Sequence, residues 1–174
     1  MQLLIDHGAD VRAQDETHTT PLHMASYLGI PAIVQLLIEC GADVTSQDLT
    51  HRTPLHMASY WVSPKTVSLL IQHRADVNGQ DYSIHKLPYL VPYTAFLEKT
   101  ETVGLLINHG ADVTARDETK STPLHVASSM GNTEAVRLLI EHGADVAARD
   151  VHWMTPLHMA SSWVSGESTR LLMQ

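Results

Sequence analysis

Four stretches of the chain carry apolar residues at helical spacing: "AIVQLLIEC" at 32–40, "TVSLLIQH" at 66–73, "TVGLLINH" at 102–109 and "EAVRLLIEH" at 134–142. Three of them run into glycine, at Gly41, Gly110 and Gly143, which ends a helix by taking a left-handed conformation; Arg74 stands there in the remaining copy. A second, shorter helix is predicted before each of three of these stretches and again near the end of the chain. Thr20, Thr53, Thr122 and Thr155 are placed as N-caps, and Pro21, Pro54, Pro123 and Pro156 take the first helical position, where a missing N–H does no harm. Ala25, Ala58, Ala127 and Ala160, each followed by Ser, give these helices a small face for close packing. Gly29 and Gly131 end two of them, whereas Val62 and Val164 hold that place in the other two. Ala-Asp-Val follows each long helix, and Asp15, Asp48, Asp81, Asp117 and Asp150 come a few residues later, opening a polar hairpin that reaches to the next unit.

These landmarks repeat. Thr-Pro-Leu-His occurs at 20–23, 53–56, 122–125 and 155–158, and Ala-Asp-Val at 9–11, 42–44, 75–77, 111–113 and 144–146. The spacing is 33 residues, except for one interval of 36. A fixed period of this length marks a stacked array of small units. With Thr-Pro-Leu-His at that period, the chain resembles the ankyrin repeat family. The resemblance implies an all-α-dominated repeat solenoid of helix-turn-helix pairs joined by β-hairpin loops. It divides a single domain, 1–174, into a partial first repeat at 1–14, repeats at 15–47, 48–80, 81–116 and 117–149, and a last, short repeat at 150–174. Both ends fall inside a long helix, at Leu3, Leu4 and Ile5 and at Leu171, Leu172 and Met173, without polar capping repeats. A piece of a longer array, ends that stack on another chain, and a gene that simply begins and ends there all fit.

The 36-residue interval contains "KLPYLVPYTAFLEKT" at 86–100 in place of Thr-Pro-Leu-His. Pro88 and Pro92 compete for the start of its inner helix. If Pro88 starts it, Pro92 lies in the helix interior at a cost of about 3 kcal/mol, so Pro92 is expected in the first turn with the extra length in the finger. This unit gathers Tyr82, Tyr89, Tyr93 and Phe96, and it is either a decayed copy or a finger lengthened for a special contact.

Composition narrows the function. A net charge of -8, with 11 Lys+Arg against 19 Asp+Glu and no basic run, opposes binding to nucleic acid or anionic membrane. The single Cys40 cannot form an internal disulfide, and Asn78, Asn108 and Asn132 begin no glycosylation acceptor, so an intracellular location, cytoplasmic or nuclear, is expected. No glycine-rich phosphate loop, Gly-x-Ser-x-Gly, His-Glu-x-x-His or Cys-x-x-Cys occurs. Nearly every polar residue recurs at the period, whereas a catalytic site is one unique constellation, so neither an enzyme nor a bound cofactor is expected.

The 12 histidines invite a metal site. The resemblance instead implies that His23, His56, His125 and His158 hydrogen-bond between loops of adjacent units. His7, His73, His109 and His142 fall in the last turn of long helices, where a donor or positive charge suits the free carbonyls. His18, His51, His85 and His152 lie near hairpin tips, on layers about 8–10 Å apart, too far to share a zinc ion. Family resemblance also marks Asn78, after Asp76 and Val77 and eight residues beyond Leu70, as a candidate for asparaginyl hydroxylation, with an ordinary hairpin asparagine as the alternative.

Residues that the repeat does not fix are free to recognise a partner. At the tips these include Arg52, Lys120, Trp153 and Met154; at the ends of the inner helices they are Tyr27, Leu28, Tyr60, Trp61, Met130 and Trp163; Tyr89 adds the irregular unit. By resemblance both sets face the family's concave groove. Tryptophan, tyrosine and arginine dominate binding hot spots, although Trp61 and Trp163 could equally fold down over the inner helices. The expected function is a protein-interaction scaffold that holds a protein partner through that groove. The alternative is a regulatory or sensing segment of a larger multidomain signalling protein, and end-to-end self-association through uncapped terminal repeats is a further possibility.

Overall fold

A computed structural model describes residues 1–61, 63–79, 100–162 and 170–173 of the chain. Two compact units are separated, 1–83 and 84–174. In the first lie α1 (Gln2–Asp6), α2 (Pro21–Tyr27), α3 (Pro31–Glu39), α4 (Pro54–Trp61) and α5 (Pro64–Gln72). In the second lie α6 (Thr100–Asn108), α7 (Pro123–Ser129), α8 (Thr133–Glu141) and α9 (Pro156–Ser162). The irregular stretch, with Pro88, Tyr89 and Pro92, and the turn around Trp163 lie outside the described residues.

The short helices start as their sequence dictates. In α2 the Thr20 hydroxyl accepts from the His23 N–H at 3.4 Å, while the His23 ring accepts from the Thr20 N–H at 3.2 Å. α7 repeats this reciprocal cap with Thr122 and His125. Two orphan donors are thereby satisfied at each start, with histidine in the place that glutamate fills in the usual capping box.

Termination is equally regular. After α3, Gly41 donates to Ile38 O and Ala42 to Leu37 O, with Gly41 at φ +88°. That is a Schellman ending, and it recurs at Gly8, Gly110 and Gly143. Gly29 and Gly131 close α2 and α7 in the same way. Arg74 adopts the left-handed conformation at φ +69° after α5, so the backbone geometry persists without the glycine.

Within the first unit α2 packs on α3 and α4, α4 on α5, and α3 on α5. Leu22, Val34, Leu37, Leu55, Val67 and Leu70 fill its interior. In the second, α7 packs on α8 and α9, and α6 on α8, around Val103, Leu106, Leu124, Val136 and Leu139. Paired helices therefore stack as two layers in each unit, with the Thr-Pro-Leu-His helices forming one and the longer helices the other.

Two local costs are visible. A non-glycine residue in the left-handed region is disfavoured by about 1 kcal/mol, so Arg74→Gly should raise the denaturation midpoint by a matching amount; an unchanged or lower midpoint contradicts this. The hydroxyls of Ser26, Ser59 and Ser128 are buried without a hydrogen-bond partner, whereas Ser161 donates to Leu157 O at 2.7 Å. Removing an unsatisfied buried hydroxyl recovers about 1 kcal/mol. Ser128→Ala should therefore stabilise the chain in urea titration, and a loss of stability would show that the hydroxyl has a partner.

Candidate functional site

Between the long helix of one repeat and the short helix of the next, the chain forms a finger, and each finger among the described residues is built on aspartates. The Ala-Asp-Val aspartate accepts from the N–H two residues on: Thr45 to Asp43 at 2.8 Å, Asn78 to Asp76 at 2.9 Å and Thr114 to Asp112 at 2.8 Å. The second aspartate starts the tip. In the finger 15–19, Asp15 Oδ1 accepts from the Thr17 N–H, the Thr17 hydroxyl and the Thr19 N–H, while the His18 N–H donates to Asp15 O. Asp48 and Asp117 do the same in their own tips, and Asp150 accepts the two backbone N–H groups, from His152 and Met154, without a hydroxyl. Such hydrogen bonds hold Asp15 below the usual carboxylate range, with Thr17 the main cause. At Asp48 burial pushes the other way, but Thr50 and Arg52 outweigh it and the carboxyl is again lowered.

Each tip closes as a turn followed by a left-handed residue. That residue is His18, His51, Lys120 or Trp153, at φ between 60° and 62°. No strand is present among the described residues; neighbouring tips join by single backbone bonds, Leu49 N–H to Thr17 O at 3.0 Å and Val151 N–H to Thr119 O at 2.9 Å. The hairpin loops are tight turns, each closed by a backbone bond across its base, as from Asp15 N–H to Thr19 O at 3.1 Å, and clamped by the aspartate side chain.

The tips are locked to the helices by histidine. His23 Nε2 bonds Arg52 O at 2.9 Å, and His125 Nε2 bonds Met154 O at 3.0 Å. Since each Nδ1 accepts from a threonine N–H, each Nε2 must carry the proton and donate, which fixes the neutral tautomer. Burial lowers the pKa of both rings. His7, His109 and His142 instead bond carbonyls four residues back, at 2.7–2.8 Å, in the last turns of their helices. Among the described residues no three His, Cys, Asp or Glu side chains gather to hold a metal ion.

The variable residues are distributed unevenly. In the first unit Tyr27, Leu28, Leu49 and Tyr60 are exposed, Leu28 at 62%, and Met24 joins them at 51%. Sequence reasoning passed over Met24 because it follows the invariant histidine. Arg52 is engaged within its own finger, pairing with Asp48 at 2.7 Å. In the second unit Trp153 is 72% exposed, Met130 and Met154 are half-buried, and the Arg149 guanidinium lies over the Trp153 ring at 5.4 Å. Arg116 and Arg149, just before the tip aspartates, were also passed over; their signal was variation at one position, Gln14, Gln47, Arg116 and Arg149. Asn78 is exposed. The Trp61 side chain, Tyr89 and Trp163 lie outside the described residues.

Helix pairs with a Thr/His cap, stacked and joined by aspartate-clamped fingers, define a helical repeat protein. A family model for ankyrin repeats (3 copies) matches residues 1–81 and 93–174, and the chain belongs to the ankyrin repeat family. Its repeats are generally protein-interaction modules and typically non-catalytic. No curated protein matches the chain. Among the described residues no helix is long and apolar enough to cross a membrane.

The histidine locks have a pH signature. Because the folded pKa values of His23 and His125 lie below the ordinary 6.5, the unfolded chain takes up protons first. Their contribution is complete above about pH 6.5 and is lost as pH falls from there toward the folded-state values. The urea midpoint should fall between about pH 7.5 and 5.5. His125→Gln should cost about 1–2 kcal/mol at the higher pH and flatten that fall; an equally steep fall in the variant would remove the assignment.

Proposed function

We propose that the chain is a protein-interaction scaffold that holds a partner on the face made by its fingertips and the ends of its short helices, the concave groove of the family, without chemistry of its own. The observation that carries this reading is the placement of the aromatic residues. Among the described residues no phenylalanine, tyrosine or tryptophan side chain is buried: Trp153 is 72% exposed, and Tyr27 and Tyr60 are each 38% exposed. Aromatic side chains are the largest contributors to interfaces, and an indole left mostly in water, as at Trp153, gains little burial from folding.

Trp153 separates building from binding most sharply. Its left-handed backbone suits glycine and penalises a bulky side chain. If the indole served the fold, replacing it would destabilise the chain. On the binding reading, Trp153→Gly raises stability by about 1 kcal/mol while weakening partner capture. The test is affinity capture by the tagged full chain, beside Trp153→Gly and a Tyr27→Ala, Leu28→Ala double variant, each with its denaturation curve. An unchanged partner set with all variants folded would overturn the proposal.

A further inference from the structure

The second unit carries a group of positive charges that no carboxylate among the described residues pairs with. Arg116, Lys120 and Arg149 are exposed on two adjacent tips, 117–121 and 150–154. Arg116 Nη1 donates to Arg149 O at 3.0 Å and to Lys120 O at 3.4 Å, which ties the cations to one place and leaves the rest of the guanidinium open. Arg149 is stacked on the exposed ring of Trp153. The Val151 to Thr119 bond keeps the two tips in register. In the first unit the same positions hold Gln14 and Gln47, His18 and His51, and the nearby Arg52 is already neutralised by Asp48. A finger of the same geometry is therefore built without this set.

We propose that these two tips hold an acidic segment of the partner protein, its carboxylates on Arg116, Lys120 and Arg149 and its apolar side chains against Trp153. This rests on the scaffold reading above and names the chemistry of the partner. Guanidinium groups fixed in advance by a carbonyl and by an indole face lose little freedom on binding, and their fork geometry matches carboxylate. Of the carboxylates at the tips, Asp117 and Asp150 each accept the N–H groups of their own turns at Oδ1. Glu118 is exposed and opposes the ligand from the edge. A chain of net charge -8 repels a long polyanion, but screening over about 8 Å at physiological salt lets a short acidic segment feel mainly the cations it touches.

The test is fluorescence anisotropy with the full chain and dye-labelled peptides that share leucine positions and differ only in having glutamate, glutamine or lysine between them. A phosphoserine version and a labelled oligothymidine complete the set. The glutamate peptide should bind at least about 10-fold more tightly than the glutamine peptide, and more weakly as salt rises. Arg149→Gln and Trp153→Ala should each weaken it by about 10-fold, Arg116→Gln should weaken it too, and Glu118→Gln should tighten it. His18→Ser, in the first unit, should leave it unchanged. Equal binding of glutamate and glutamine peptides, indifference to Arg149→Gln in a variant that melts like the parent, or tighter binding of the phosphopeptide or oligothymidine overturns the proposal. If capture of a partner is lost in Trp153→Gly while the glutamate peptide fails to bind, the scaffold reading stands and the acidic ligand falls.

Discussion

The two imidazole locks, at His23 and His125, hold each short helix to the following finger, and most of what surrounds them is arranged to keep the ring neutral and aimed. Each ring accepts from a threonine N–H at the start of its own helix and donates to a carbonyl of the next finger, Arg52 O or Met154 O. One side chain thereby caps a helix and joins two successive repeats of the same compact unit. A charged imidazole would bring an N–H against the threonine N–H, so burial, which favours the neutral form, and the cap act in the same direction. Proline at the first helical position and leucine at the second then carry the chain into the core without disturbing that start.

With the finger's base fixed to a helix, its tip is free to vary. The tip turn is held by an aspartate that gathers the backbone N–H groups around it, so the turn does not depend on the residue in the left-handed position. That explains why two histidines (His18 and His51), a lysine (Lys120) and a tryptophan (Trp153) share one conformation. The strain each accepts is small beside the hydrogen bonds that hold the turn, and only a histidine or a similar polar residue is at home there on conformational grounds. A lysine or a tryptophan in that place has to be explained by what its side chain does. The same reasoning does not extend to Arg74, whose equivalents are glycines that end helices far from the tips.

Much of this was legible in the sequence because the period isolates one variable at a time. Threonine and proline gave the helix starts, glycine the ends, and the family resemblance implied that the recurrent histidines bond between adjacent repeats. The fingers were less legible. Asp15 and its counterparts could be assigned to a turn, but the left-handed residue three positions later carries no glycine to announce it. Its identity emerges only from the backbone. Arg116 and Arg149 were missed for a related reason: a charged residue beside an aspartate reads as a solvated finger, the Arg149 carbonyl that fixes Arg116 lies 33 residues away, and the indole under Arg149, though four residues on, is brought beneath it only by the turn. Met24 was hidden by adjacency to a structural histidine, because a short helix presents one face to the core and the next residue to solvent.

The two kinds of residue also differ in what a mutation can reveal. Changing His125 or Leu124 alters folding and any surface built on it together, so a lost interaction would say nothing about where the partner sits. Positions in the left-handed tips behave differently, because glycine there relieves strain while it removes the side chain. Stability and recognition should move in opposite directions at Trp153, a signature that no residue of the buried layers can give. If Lys120 shares that signature, the two adjacent tips act as one surface. If Lys120→Gly gains stability without losing the partner, recognition is concentrated on the indole and the arginine stacked against it.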